Sequence, residues 1–301
     1  MEPISLARSA LARIPLFASS MEANVRPLED VISLNNSNYR VSTKSGEYLL
    51  RIGNDSANWF GIDRKEEIEI ATAAAKEGLA PEILFSEASG LIVTPYIEGF
   101  HWKPEDCRKP GNLLRIGHTL RLLHSIKTAR SQNSQFKRIE VLLENSIKLG
   151  MTLPEGIEKH KSMLLKIELQ RIQRVNYSSG LSHNDFWLNN FLDDGMKLWL
   201  LDWEFSGHGD GYVDLATFSL GCSLSEEEQK ELLFAYGSCN PSDFEDLQAM
   251  KWAVCFFEAA WALVHHGLQL KSQVADHNPV AFDYADHAAK MFERIESGEY
   301  F

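Results

Sequence analysis

The chain is 301 residues long, 44% hydrophobic and 24% charged, with a formal net charge of −12. That length and apolar content can bury a large core. The acid excess argues against a nucleic-acid phosphate partner and suits a cationic small molecule. The four cysteines, Cys107, Cys222, Cys239 and Cys255, form no C-x-x-C pair. Zinc and thioredoxin signatures are therefore excluded, and reduced thiols in a cytoplasmic protein are expected. The opening MEPISLARSALARIPLF is interrupted by Glu2, Arg8 and Arg13, which does not suit a signal peptide, and no apolar run approaches the length of a membrane span.

In chain order, residues about 4–13 read as a short helix ended by Pro15. Residues 31–52 read as a hairpin, opened by Val31 and Ile32, turned at Lys44-Ser45-Gly46 and returned by the apolar run that carries Arg51. Residues 34–39 then lie between strands, where Asn36, Ser37 and Asn38 offer side-chain amides and a hydroxyl. Residues 63–78 are alanine-rich and predict a helix stopped by Gly78, with Ile68, Thr72 and Ala75 on one face and Glu67 close to it. Residues 83–85 and 91–94 predict two strands, after which Tyr96-Ile97-Glu98-Gly99 breaks the sheet. Helical spacing follows over 113–126, about 136–149 and 157–175. Ser225-x-x-Glu228 and Ser242-x-x-Glu245 read as capping boxes opening two more helices, the second carrying Trp252, Phe256, Phe257, Glu258 and Trp261. The last helix, about 281–296, carries Phe282, Tyr284 and His287.

The most informative stretch runs over 181–215, LSHNDFWLNNFLDDGMKLWLLDWEFSGHGDGYVDL. It holds His183, Asn184, Asp185 and Asn190, a turn at Asp193-Asp194-Gly195, and an apolar run ending in Asp202. Glu204 follows, and a loop leads on to Asp214. Polar groups at strand ends are held rigidly and face whatever lies beyond the sheet. Phosphoryl transfer needs few parts in such a place. One carboxylate accepts the proton of the attacking hydroxyl, and a second carboxylate with an amide holds Mg²⁺ against the triphosphate. Asp185, Asp202 and Asn190 are the residues of the right type.

The pattern H-x-D-x-x-x-x-N, followed by an apolar run into D-x-E, resembles the catalytic and metal-binding loops of the protein-kinase-like phosphotransferases. The HND and D-W-E-aromatic variants are similar to the choline/ethanolamine kinases. This resemblance implies a two-lobed protein-kinase-like α+β fold. Residues 1–97 would form a nucleotide-binding lobe, with a five-stranded antiparallel sheet and one main helix. Residues 98–301 would form a mainly helical catalytic and substrate-binding lobe.

It also implies ATP- and Mg²⁺-dependent phosphorylation of a small amino alcohol, choline or ethanolamine. Asp185 would be the base and Asn190 and Asp202 the metal ligands, with His183 and Asp214 bracing the loop. Arg51 would contact phosphate, paired with Glu67 (Glu66 being the alternative), and the backbone of Tyr96, Ile97 and Glu98 would meet the adenine. The family's glycine-rich phosphate loop has no counterpart at Ile32 and Ser33, while Asn36, Asn38 and Tyr39 match it. Glu204, Phe205, Glu258, Trp261 and His287 fall at substrate positions, with Glu258 standing where the family has an aromatic. An aminoglycoside, thiamine or sugar kinase on the same scaffold, or a nucleotide-binding pseudokinase, are the competing readings.

Overall fold

Alternating apolar residues in the N-terminal third pair into one antiparallel sheet of five strands. These are β1 (Asn24–Pro27), β2 (Asn36–Thr43), β3 (Gly46–Gly53), β4 (Phe85–Glu87) and β5 (Leu91–Pro95), in the order β1-β2-β3-β5-β4. The computed structural model describes residues 3–18, 23–28, 36–128, 134–174, 179–238, 240–272 and 282–298. Tyr39, Val41, Leu50, Leu91 and Val93 from the sheet meet Ala7, Ala10 and Leu11 of helix α1 (Pro3–Leu11) in one apolar cluster. The architecture is α+β.

Two differences from the sequence reading stand out in this sheet. Residues 36–39 are already strand, with Asn36 opposite Gly53 and Asn38 opposite Arg51, so the polar triplet is not a loop between strands. The expected opening at Val31 and Ile32, with Ser33 to Asn35, lies outside the described residues. Strand β1 had no clear alternating pattern to announce it. Strand β4 begins two residues later than expected, at Phe85.

Helix α2 (Arg64–Lys76) starts where Asp63 caps it, its carboxylate accepting the Lys65 and Glu66 amides at 2.9 and 3.1 Å. Its buried face is Arg64, Glu67, Ile70, Ala71 and Ala74, not Ile68, Thr72 and Ala75. An apolar count misplaced the face because two of the buried residues are charged.

The chain forms two compact units. One comprises Met1–Asn58, Ile62–His101 and Phe191–Glu204; the other comprises Trp59–Gly61, Trp102–Asn190 and Phe205–Phe301. A single boundary at 97 therefore misses that the hairpin of β7 (Phe191–Asp193) and β8 (Leu198–Leu200) belongs with the first unit. The turn of that hairpin is held by the Asp194 carboxylate, which accepts the Lys197 amide and the Trp199 indole N–H at 2.8 and 2.7 Å.

The second unit is helical: α3 (Asn112–Ser125), α4 (Gln135–Lys148), α5 (Ile157–Ile172), α6 (Tyr212–Gly221), α7 (Glu226–Tyr236), α8 (Asp243–Ser272) and α9 (Tyr284–Ser297). A two-stranded ribbon, β6 (Ser179–Ser182) with β9 (Gly207–Asp210), runs through it. Strand β9 and the start of α6 replace the loop expected before Asp214. Ser225 and Glu228 make the reciprocal capping box expected of them. Helix α8 is long and apolar enough to pass for a membrane span, contrary to expectation, but its apolar window is 72% buried and packs against α9, α4 and α6. It is the core helix of this unit.

Cys107 and Cys222 form a disulfide, correcting the expectation of reduced thiols. Their separation of 115 residues hides the pair from any search for local spacing.

Arg171 of α5 is 2% exposed and gathers three elements. It donates to Asp210 of β9 at 2.6 and 3.0 Å and to Asp246 of α8 at 2.6 Å, and its guanidinium lies 4.0 Å from the centre of the Tyr212 ring. Removing one partner of a buried ion group strands the other charges in low dielectric. Arg171→Met is expected to lower unfolding free energy by about 3–5 kcal/mol, read by urea denaturation.

His265 on α8 is packed between aromatic rings, 4.3 Å from Phe60, 4.4 Å from Trp261 and stacked on Tyr284 at 4.8 Å. Burial pushes its imidazole down from 6.5 to about 3. A depressed folded value means that the neutral ring supports the fold above pH 6.5 and that this support drains away as pH falls toward about 3. His265→Phe is therefore expected to flatten the fall of Tm below pH 6.5, measured by thermal melts across pH.

Candidate active site

The ribbon β6–β9 sets the loop that carries Asp185. Asp214, in the first turn of α6, has no exposed surface. Its carboxylate accepts the backbone N–H of His183 at 2.8 Å and of Asn184 at 2.7 Å. It also takes Nε2 of His124 from α3 at 3.0 Å. A carboxylate acceptor sets His124 to donate through Nε2, and its Nδ1 lies 2.8 Å from the Tyr236 hydroxyl. His124 lies against Gly180 and Gly211, where any side chain would collide with it.

Asn184 adopts a left-handed φ of 61°, and its side-chain amide donates to the Phe205 carbonyl at 3.0 Å. Arg138 donates to the same carbonyl at 2.5 Å. These bonds leave Asp185 half-buried at the exit of the bend. Asn190 then closes the loop, its amide nitrogen donating to the Asp185 carbonyl at 2.8 Å and to the Asp185 carboxylate at 2.7 Å. The Asn190 side-chain oxygen accepts a long contact from the Asn189 amide, at 3.4 Å. His183 has no exposed surface and sets its ring edge-on to Phe186 at 6.0 Å. That position suits a brace, not a proton carrier.

The first unit holds a knot of ions. Arg51 on β3 bonds to Glu67 of α2 through Nη2 and to Asp202 through Nη1 at 3.0 Å. Glu67 is thus the helix carboxylate paired with Arg51; Glu66 is not. Arg64 reaches Glu67 at 3.0 Å and Glu204 at 2.9 Å with the same nitrogen. Asn36 donates to that Glu204 oxygen at 2.9 Å, while its own amide oxygen is buried without a partner among the described residues.

Burial works against the Arg51 charge, but Glu67, Asp202 and Glu204 outweigh it and hold the guanidinium protonated. Burial and the Glu204 charge push the Asp202 carboxyl up to about 7, with Arg51 opposing. Asp202, at a left-handed φ of 60°, is the least enclosed member, its side chain 27% exposed. Glu204 is 6% exposed, and its Oε2 accepts from both Asn36 and Arg64.

Ser37 is exposed and Asn38 half-buried on β2. Tyr96, Ile97 and Glu98 follow β5, and the Tyr96 amide donates to the Glu47 carbonyl at 3.0 Å. Sequence alone missed Arg40, which bonds to Glu98 at 2.7 Å and to Glu47 at 2.6 Å and lies 4.1 Å from the Tyr96 ring centre.

In the second unit the remaining expected residues fall into two groups. The Phe205 ring is buried edge-on to Phe257 at 5.8 Å. Glu258, Trp261 and His287 come together across α8 and α9, all half-buried. His287 Nε2 is 3.4 Å from the Glu258 carboxylate and its ring 6.3 Å from Trp261. Phe282 and Tyr284 stand 6.2 and 5.9 Å from the same indole. Trp252 and Phe256 are core.

Among the described residues no three His, Cys, Asp or Glu side chains converge as a metal centre. A magnesium ion, which takes one or two carboxylates and fills its shell with phosphate and water, needs fewer. In the first unit the partly exposed Asp202 carboxylate is a hard oxygen donor of that kind.

The phosphotransferase enzyme family matches residues 30–252. Protein LicA of Haemophilus influenzae is 26% identical over 225 residues, which is 72% of this chain and 64% of that protein. The matches span about half to two thirds of the length of the first curated relatives. A choline/ethanolamine kinase family protein from Mesorhizobium loti superposes with a TM-score of 0.75 at 26% identity, covering 98% of this chain and 94% of that one. Choline kinase LicA from Streptococcus pneumoniae shares the fold, with a TM-score of 0.75 at 20% identity over 97% of this chain and 98% of its own. An ADP-bound aminoglycoside phosphotransferase fits less closely, with a TM-score of 0.60 at 15% identity over 95% and 96%. The two-unit α+β architecture is thus the kinase-like fold of these neighbours, and with more than half its length matched, the chain belongs to the phosphotransferase enzyme family.

Proposed function

We propose that this protein transfers the terminal phosphoryl group of ATP, with Mg²⁺, to the hydroxyl of a small amino alcohol, choline or ethanolamine. One observation carries the substrate side of this reading. Half-buried Trp261, Glu258 and His287 meet in the same unit that holds Asp185, and Phe205 and Phe257 connect them to its loop. An indole face and a carboxylate together attract an ammonium group that brings no acceptor of its own.

Asp185 would accept the proton as the alcohol oxygen bonds to the terminal phosphorus and the bond to the departing ADP oxygen breaks. Asn190 orients it through the 2.7 Å bond to its carboxylate. Arg51 would contact phosphate, for which its buried Nε–H has no partner among the described residues. Asn36, Ser37 and Asn38 would line the nucleotide side and the backbone of 96–98 would take the adenine. Asn190 and Asp202 would hold Mg²⁺, which neutralises developing charge on phosphate oxygens when bound.

The test is ADP release with Mg-ATP against choline, ethanolamine, thiamine, an aminoglycoside and several sugars. Turnover on choline or ethanolamine that disappears in Asp185→Ala is the expected result. Turnover only on another alcohol would discard the amine reading, and nucleotide binding without any turnover would discard the enzyme reading.

Asp214 acts through the loop and not on the substrate. Asp214→Asn would replace one of the two acceptor oxygens by a donor, set against the His183 or the Asn184 backbone N–H. Hydrogen bonds to a charged group are worth about 1.5–3 kcal/mol each. The expected loss is about 100-fold in kcat with KM for ATP changed little, read by steady-state kinetics.

A further inference from the structure

We propose that Arg64 is a positioning residue of the phosphotransfer site: it binds Glu204 and shares Glu67, so that Arg51 stays on Glu67 and Asp202 and remains set for phosphate. This rests on the ATP and Mg²⁺ reading above. Nothing in the sequence marks Arg64, which opens a helix in the charged run Arg64-Lys65-Glu66-Glu67 and looks like a solvated residue.

The structure treats it otherwise. Arg64 is 8% exposed. Its side chain lies across two glycines whose backbones are hydrogen-bonded, Gly53 N–H to Gly90 carbonyl, at 3.1 Å. A Cβ at Gly53 would stand 3.1 Å from the Arg64 guanidinium, and one at Gly90 would stand 2.9 Å from its Nε. Gly90 has a φ of +86°, which disfavours a side chain on its own account. The slot thus admits the guanidinium because both walls lack side chains.

The charge balance explains what the slot achieves. Three carboxylates, Glu67, Asp202 and Glu204, face two guanidinium groups, Arg51 and Arg64. Arg64 and Asn36 both donate to one Glu204 oxygen at 2.9 Å. Without Arg64, Glu204 would be a buried carboxylate that has lost an ion pair at 2.9 Å and still acts on the charge of Arg51. Arg51 would then be drawn from Asp202, and the local excess of negative charge would rise by one. Both changes oppose a nucleotide triphosphate.

The experiment measures the affinity of the full chain for a non-hydrolysable Mg-ATP analogue by calorimetry, with a thermal melt on each variant. Arg64→Gln is expected to weaken binding about tenfold or more. Arg64→Gln combined with Glu204→Gln is expected to recover to within about threefold of wild type, because it removes the carboxylate that Arg64 answers. A purely packing role predicts the opposite, since the double variant has lost two buried side chains. Arg64→Lys, which keeps the charge, should stay close to wild type and serves if the glutamine variant does not fold. Wild-type affinity in Arg64→Gln, or a double variant no better than the single one, overturns the proposal. Failure of the wild type to bind the analogue would instead strike the ATP reading itself.

Discussion

An ion removed from water must be answered by another charge or by several hydrogen bonds, since the desolvation cost far exceeds what packing returns. In this protein that constraint anchors the residues of interest in both units. Asp214 has no exposed surface, and its answer is two backbone N–H groups and His124. Those two amides belong to His183 and Asn184, so satisfying a buried carboxylate fixes the backbone that leads directly into Asp185. The same logic holds around Arg51. Glu67 and Arg64 are buried and paired, and their pairing fixes where the guanidinium of Arg51 ends. Asp185 and Asp202 are thus partly exposed, while Asp214, Glu67 and Arg64, which fix their surroundings, are buried.

Much of this was legible where the signal is local. The spacing of Asp185 and Asn190 lets one amide close a single loop onto its own carboxylate, and the bond is there at 2.7 Å. The turn at Asp193-Asp194-Gly195 and the capping box at Ser225 are likewise set by residues a few positions apart. What could not be read depended on partners far along the chain. Arg64 and Glu204 are 140 residues apart, and Cys107 and Cys222 are 115 apart. The buried face of α2 was misplaced for the same reason: Arg64 and Glu67 count as polar until their partners are known. Asn36 looked like a loop residue because asparagine favours turns, whereas its strand pairing with Gly53 and its bond to Glu204 override that preference.

The aromatic group on α8 and α9 shows how one helix separates packing from recognition. Trp252 and Phe256 point into the core, where the indole N–H of Trp252 donates to the Ile295 carbonyl at 3.2 Å. Trp261 and Glu258 lie on a half-buried face opposite His287. Behind Trp261, His265 is held neutral by burial, so the wall supporting the indole carries no positive charge that would repel an ammonium group. On the proposed reading, that neutrality matters as much as the carboxylate in front.

The ion knot of the first unit is not balanced, and the imbalance bears on function. With three carboxylates against two guanidinium groups, one negative charge is left over. Glu67 and Glu204 are sealed by their bonds, which leaves the surplus at Asp202, the most exposed of the three, with its carboxyl pushed up to about 7. A folding optimum alone would remove that carboxylate or add a third cation. Keeping it makes Asp202 the place in this unit where an added cation gains most. On the proposed reading Asp202 is the carboxylate of this unit that would hold Mg²⁺, while Arg51 would face the phosphate charge.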